Sequence, residues 1–273
     1  MATTKSLGQK DKNDKFYTKS KVAKQCIDLL NLQYDFIIEP SAGNGSFSKQ
    51  IKDCIALDLE PADSSIKQQD FFKFNYNELN GKILVIGNPP FGQQSKLAIE
   101  FFNYAARFAT TIAFILPKSF RKPTIQNRLD LNFELVKELE LPKNSFTFEG
   151  KDYDVGCVFQ VWKKTNIPRK KVKLKTTSKY FEFTKDITKA DFRVQRVGGN
   201  AGKAFEDLNG AQSSNYFIIN KTELLNQEVI NFINDLEYDT ITDTVGPKSL
   251  SKGEFVKVFE ENWNKKIWKY IKF

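Results

Sequence analysis

The stretch Lys82-Ile-Leu-Val-Ile86, running into Gly87-Asn88-Pro89-Pro90-Phe91-Gly92, organises the reading of this chain. Its first half is short, apolar, rich in β-branched residues and bounded by Gly81 and Gly87, the pattern of a buried strand. Two consecutive prolines then remove two backbone donors and fix two φ angles. Asn88, preceding a proline, is pushed toward extended geometry. The outcome is a stiff corner at a strand end. There the Asn88 side-chain oxygen and the Pro89 carbonyl can each accept a hydrogen bond from an NH2 group, and Phe91 can stack on the flat ring that carries it. The same residues also suit a plain turn that closes a core strand over a buried Phe91.

Upstream, Lys19 to Leu30 has Val22, Ala23, Cys26 and Ile27 at helical spacing, with Thr18 or Ser20 as its cap. Asp35-Phe-Ile-Ile-Glu39 reads as a strand entering Pro40-Ser41-Ala42-Gly43-Asn44-Gly45-Ser-Phe47, with a helix expected through Ile51. Strand, glycine turn, helix lets a ligand approach the backbone closely. No lysine follows the last glycine as a Walker loop needs, and Glu39 at the strand end suits a cationic ligand group instead. Cys54 to Asp58, followed by Leu59-Glu60-Pro61, is a second strand ending in acid. Acids roughly 20 residues past a glycine turn accept hydrogen bonds from ribose hydroxyls, with Asp58 first and Glu60 second. Ile66 to Phe72 reads as a third strand, with Asp70 and Phe71 at its exit. Asp70 equally suits a turn cap, and Phe71 or Phe72 the core.

Downstream come a helix over Ser95 to Phe108, a strand over Thr111 to Pro117, and a polar segment with Arg121, Lys122 and Arg128. Strand patterns over Phe133 to Leu141 and Val155 to Trp162 follow, joined by a loop. Alternating strands and helices predict an α/β fold, a doubly wound and mostly parallel sheet, with one antiparallel strand from that last pair. Beyond it, strands over 180–183, 192–197 and 215–219 and helices over 224–232 and 255–263 predict a small C-terminal α+β extension. The expected division is a flexible N-terminus over 1–13, a catalytic domain over 14–165 and a basic C-terminal region over 166–273.

The chain has 273 residues, a formal charge of +9 and no histidine. That excludes a Ser-His triad, a histidine base and His-ligated metal. The three cysteines, Cys26, Cys54 and Cys157, lack zinc-type spacing and read as buried thiols of a reducing, cytoplasmic compartment, with no metal expected. No apolar run suggests a signal peptide or membrane span. Positive charge is concentrated: residues 1–165 carry net +4, residues 166–203 net +8, and residues 204–273 net −3. Residues 163–175 hold seven basic side chains and no acid, among them Lys170, Lys171 and Lys173. Such a patch suits either a phosphate backbone or a solvated linker.

The Asn-Pro-Pro-Phe corner resembles the (Asp/Asn/Ser)-Pro-Pro-(Tyr/Phe/Trp) motif of the S-adenosylmethionine-dependent amino methyltransferases, which methylate adenine N6 or cytosine N4. Glu39-Pro-Ser-Ala-Gly-Asn-Gly45 resembles motif I of that family, Asp58 falls in its motif II, and Asp70-Phe71 in its motif III. Phe16-Tyr17-Thr18 resembles the Phe-Tyr-Thr-Pro segment ahead of motif I, with Lys19 in place of the usual proline. The resemblance spans roughly residues 14–165. It implies the class I methyltransferase fold and S-adenosyl-L-methionine as cofactor. Phe16, Tyr17 and Thr18 would pack on its methionine part, Glu39 through Gly45 cradle it, Asp58 hold the ribose, and Asp70 and Phe71 the adenine. Asn88, Pro89, Pro90 and Phe91 would hold the target amine, with Asn88 also beside the cofactor. Phe146, or else Phe148, would face the base from the other side. The motif details favour adenine N6 in double-stranded DNA. RNA adenine methylation, methylation of a protein glutamine amide, and a non-catalytic nucleic-acid-binding shell are the competing readings.

Overall fold

The computed structural model describes residues 16–244 and 246–271, with side chains to residue 265, so the expectation for residues 1–13 lies outside the described residues. The described chain divides into two compact units, one ending at Lys171 and the other starting at Val172.

The first unit begins with β1 (Tyr17–Thr18), α1 (Ser20–Asp28) and β2 (Phe36–Glu39), followed by β3 (Cys54–Asp58), β4 (Lys67–Gln68) and β5 (Ile83–Gly87). Then come α2 (Lys96–Ala105), β6 (Thr111–Pro117), α3 (Pro123–Gln126), β7 (Phe133–Glu140), β8 (Phe146–Phe148), β9 (Lys151–Tyr153) and β10 (Cys157–Lys164). Seven strands form one sheet in the order β4-β3-β2-β5-β6-β10-β7. The ladders from β4 to β6 are parallel, and β10 runs antiparallel to both β6 and β7. This is the mostly parallel sheet with one reversed strand of the class I methyltransferase fold.

The central strands are apolar on both faces because both are covered. Leu84 and Ile86 point into one core with Val22, Ala23, Cys26, Ile27 and Phe159. Val85 points into the other, with Ala98, Phe102, Phe114 and Trp162. The α1 and α2 stripes therefore lie on opposite faces. A second, three-stranded sheet in the order β1-β8-β9 ties the residues ahead of α1 to the 146–153 hairpin.

Two local expectations are corrected. Neither Thr18 nor Ser20 caps α1; Lys19 stands at that position and makes no side-chain capping hydrogen bond. No α-helix follows the glycine turn. The chain makes turns and a short 3-10 segment over Ser48–Gln50, because Gly43 and Gly45 both sit at positive φ and re-aim the backbone twice.

The second unit is α+β. Strands β11 (Phe181–Thr184), β12 (Phe192–Gln195), β13 (Ala204–Phe205) and β14 (Asn215–Asn220) pair antiparallel in the order β11-β14-β12-β13. Helices α4 (Asn226–Asn234) and α5 (Lys252–Ile271) share its core, where Phe181, Phe192, Ile218, Val229, Phe255 and Phe259 meet. Among the described residues no helix is long and apolar enough to cross a membrane.

Candidate functional site

In a parallel sheet, ligands bind outside the carboxyl ends of the strands where the strand order reverses. That point lies between β2 and β5. The carboxyl ends of β3, β2 and β5 there carry Asp58, Glu39 with its glycine turn, and the Gly87–Phe91 corner.

The glycine turn is fixed by a short set of bonds. Ala42 N donates to Leu57 O at 2.8 Å, Gly45 N to Ala42 O at 2.7 Å and Ala62 N to Gly43 O at 2.9 Å. Gly43 N donates to Asp58 Oδ2 at 2.8 Å, and Glu60 N to Asp58 Oδ1 at 2.8 Å. Each Asp58 oxygen thus keeps lone-pair capacity for a diol while its carboxylate is locked against the turn. Gly43 sits at φ 57°, and a Cβ there would come within 3.0 Å of the Tyr17 ring. The absent side chain is what lets Tyr17 lie on the turn. Ser46 Oγ reaches Thr18 O at 2.5 Å and Asn44 Oδ1 at 2.7 Å. Thr18 Oγ1, beside this, is buried without a hydrogen-bond partner.

Glu39, expected at a ligand's cationic end, lies at the end of β2. It is only 2% exposed, and Ser48 N donates to its Oε2 at 2.8 Å. Burial pushes its carboxyl up to about 7, with hydrogen bonds from Ser48 and Phe47 opposing the rise. The carboxyl is turned onto the exit of the glycine turn. Its methylene stem also fills the space beside Gly87, where a Cβ would stand 3.2 Å from Glu39 Cγ. Glu39 therefore shapes both the turn and the start of the corner.

The corner itself is tied to the turn by one bond, Ser41 Oγ to Asn88 O at 3.1 Å. Pro89 is buried and Pro90 exposed. The Asn88 side-chain oxygen is buried and has no hydrogen-bond partner. Among the described residues no donor reaches the Pro89 carbonyl either. A buried acceptor left unsatisfied costs about 1–3 kcal/mol, and Asn88 Oδ1 is such an acceptor. Phe91 is partly buried and packs against both cores, which holds its ring beside the corner.

Two of the aromatic residues singled out in the sequence are buried. Phe71, expected on the cofactor's adenine, is 2% exposed and stacks on Phe101 at 5.2 Å between centroids. Asp70 caps its turn, accepting from Phe72 N at 2.9 Å, and so directs Phe71 inward and leaves Phe72 as the open ring. Phe146, expected against the target base, is likewise 2% exposed and belongs to the core below β8. At the far end of β8, Phe148 clusters with Phe16 at 5.0 Å, and Tyr153 meets Phe16 at 4.5 Å. Tyr153 escaped the sequence reading because only the β8–β9 hairpin brings it there.

The basic stretch splits by role. Lys170, Lys171 and Lys173 are exposed, the last belonging to the second unit. Arg169 is structural: Nε donates to Phe133 O at 2.8 Å, Nη2 to Gln126 O at 2.5 Å, and its guanidinium lies 5.4 Å from the Trp162 ring.

No family model matches this chain, and no curated protein matches it. Among solved structures it is similar to a candidate RNA methyltransferase from Pyrococcus horikoshii, at 17% identity and TM-score 0.41, over 53% of this chain and 82% of that one. It is similar to the modification subunit of a candidate type I restriction enzyme from Vibrio vulnificus YJ016, at 14% identity and TM-score 0.38, over 56% of this chain and 45% of that one. It is also similar to the 23S rRNA methyltransferase ErmE, at 12% identity and TM-score 0.41, over 56% of this chain and 71% of that one.

Proposed function

We propose that the protein transfers a methyl group from S-adenosyl-L-methionine to an exocyclic nucleobase amine, adenine N6 in double-stranded DNA. The observation that carries this reading is the buried Asn88 side-chain oxygen without a partner, on a corner bonded through Ser41 to a glycine turn. The chain's own residues fit the cofactor. Gly43 and Gly45 leave the turn bare, Tyr17 and the orphaned Thr18 hydroxyl flank it, and Asp58 offers remaining lone pairs to a ribose. Bound there, the cofactor supplies an electrophilic methyl on sulfur.

An aromatic amine is a poor nucleophile because its lone pair is delocalised into the ring. Asn88 Oδ1 and Pro89 O would each accept one of its two N–H bonds, drawing the nitrogen toward tetrahedral geometry and aiming the lone pair away from the corner. The lone pair so aimed would attack the cofactor's methyl carbon, with S-adenosylhomocysteine as the leaving group and one amine proton released to water. Orientation of this kind is worth ~7–11 kcal/mol, and the rigidity supplied by Pro89 and Pro90 is what makes it available. Extruding the base from a duplex costs on the order of a few kcal/mol. Stacking on Phe91 returns ~1–3 kcal/mol, and exposed lysines such as Lys170 and Lys171 add phosphate contacts. Glu39 acts by positioning rather than by contact with the cofactor.

Incubation with methyl-labelled cofactor and matched DNA and RNA, followed by digestion to nucleosides, tests the proposal. Label in N6-methyldeoxyadenosine is expected. Label only in the RNA nucleoside would move the substrate to RNA, and no label in any nucleoside would refute methyl transfer to a base.

A further inference from the structure

A cavity of about 410 Å³ opens just past the corner, lined by Gly92, Gln93, Gln94, Lys96, Glu100 and Arg128. Neither a glycine-turn residue nor Asn88 lines it. Its size falls within the roughly 300–1,000 Å³ of ligand sites. Its wall carries two exposed amide side chains, each a paired donor and acceptor of the kind that reads a base edge. Gln94 and Ser95 hold left-handed backbone at φ 52° and 60°, which turns the chain sharply into α2 on this wall. Lys96 is partly neutralised by Glu100 at 3.8 Å. Arg128 makes no ion pair among the described residues, and Asn103 bonds only its backbone carbonyl, at 3.0 Å. A free guanidinium facing a cavity next to an amine-holding corner is placed for a phosphate.

We infer that this cavity seats the nucleotide adjoining the target base, its phosphate on Arg128 and its base edge against Gln93 and Gln94. The inference rests on the reading of the corner given above and adds to it a source of flanking-sequence preference. Glu100 opposes an anion here, so it and Arg128 act with opposite signs.

The test is fluorescence anisotropy on the full chain, using short labelled oligonucleotides that differ only in the bases flanking one adenine, over ~50–200 mM salt. Arg128→Gln is expected to weaken every oligonucleotide ~3–10-fold and to lower the salt slope by about one. Glu100→Gln is expected to tighten binding about two-fold, by removing a like charge from the phosphate site. Gln94→Ala is expected to abolish the flanking preference. An unchanged salt slope in Arg128→Gln, a flanking preference that survives both Gln93→Ala and Gln94→Ala, or free AMP binding more tightly than the oligonucleotides would each overturn the inference. Methyl transfer measured in parallel separates the two claims. Arg128-dependent binding without transfer to any base supports the cavity assignment and removes the proposed activity. Transfer with binding indifferent to Arg128 and Glu100 removes the cavity assignment alone.

Discussion

Replacing Glu39 with glutamine is predicted to reverse a pH penalty built into the sheet. The buried carboxyl is pushed up to about 7 from an ordinary 4.5. Between those values the folded chain keeps a proton that the unfolded chain has released, so stability falls as pH rises through the window. The whole effect is absent below about pH 4.5 and complete above about pH 7. At about 1.4 kcal/mol per unit, the loss amounts to roughly 3 kcal/mol. Glutamine is neutral throughout and its Oε1 can still accept from Ser48 N. It places an NH2 where a second donor stood, a pH-independent cost of about 1 kcal/mol. The comparison is therefore between slopes. Urea unfolding followed at Trp162, with Trp263 and Trp268 replaced by phenylalanine, reads this unit. The wild-type stability should drop relative to Glu39→Gln by roughly 3 kcal/mol between pH 4.5 and pH 8. Parallel curves would refute the reasoning, because they would mean that the carboxyl is ionised at no cost in its site. On the proposed reading cofactor affinity should stay within a few-fold, since the Glu39 carboxyl is already engaged by Ser48 N.

Gly43→Ala forces a Cβ to within 3.0 Å of the Tyr17 ring at φ 57°; it should cost about 1–2 kcal/mol of backbone strain and weaken cofactor binding at least ~10-fold by calorimetry. Gln160→Ala removes a fully buried link between Trp162 Nε1, at 3.1 Å, and Glu138 Oε2, at 2.7 Å; leaving the indole N–H unpaired should destabilise the unit by about 1–3 kcal/mol in thermal melts. Arg169→Lys loses the planar fork shared by Phe133 and Gln126 carbonyls and should lower stability by about 1–3 kcal/mol. Lys170→Gln and Lys171→Gln should leave stability within about 0.5 kcal/mol and lower the salt slope of DNA binding by about one each.

The strands were legible in the sequence wherever burial on both faces wrote an uninterrupted apolar run, as in Ile83–Gly87 and Thr111–Pro117. The strand-end acids and the proline corner were legible because their residue types tolerate few other placements. Side-chain direction was not. Phe71 and Phe146 carry the same chemistry whether a ligand or a core lies beside them, and only the Asp70 cap and the β8 register turn them inward. Arg169 read as one more basic linker residue because its three carbonyl partners lie 36 to 43 positions away. The three-stranded sheet rests on Thr18 meeting Phe146, a pairing no local pattern records. The missing helix after the glycine turn has a local cause, two consecutive returns to positive φ that propensity does not register.

The most direct measurement is single-turnover methyl transfer by Asn88→Ala beside its cofactor binding by titration calorimetry. With Asn88 Oδ1 gone, transfer should fall by at least ~10²-fold, as for loss of one preorganised transition-state contact, while cofactor affinity stays within a few-fold. Transfer at the wild-type rate would contradict the account, because the amine would then be aligned without the acceptor on which everything else has been built.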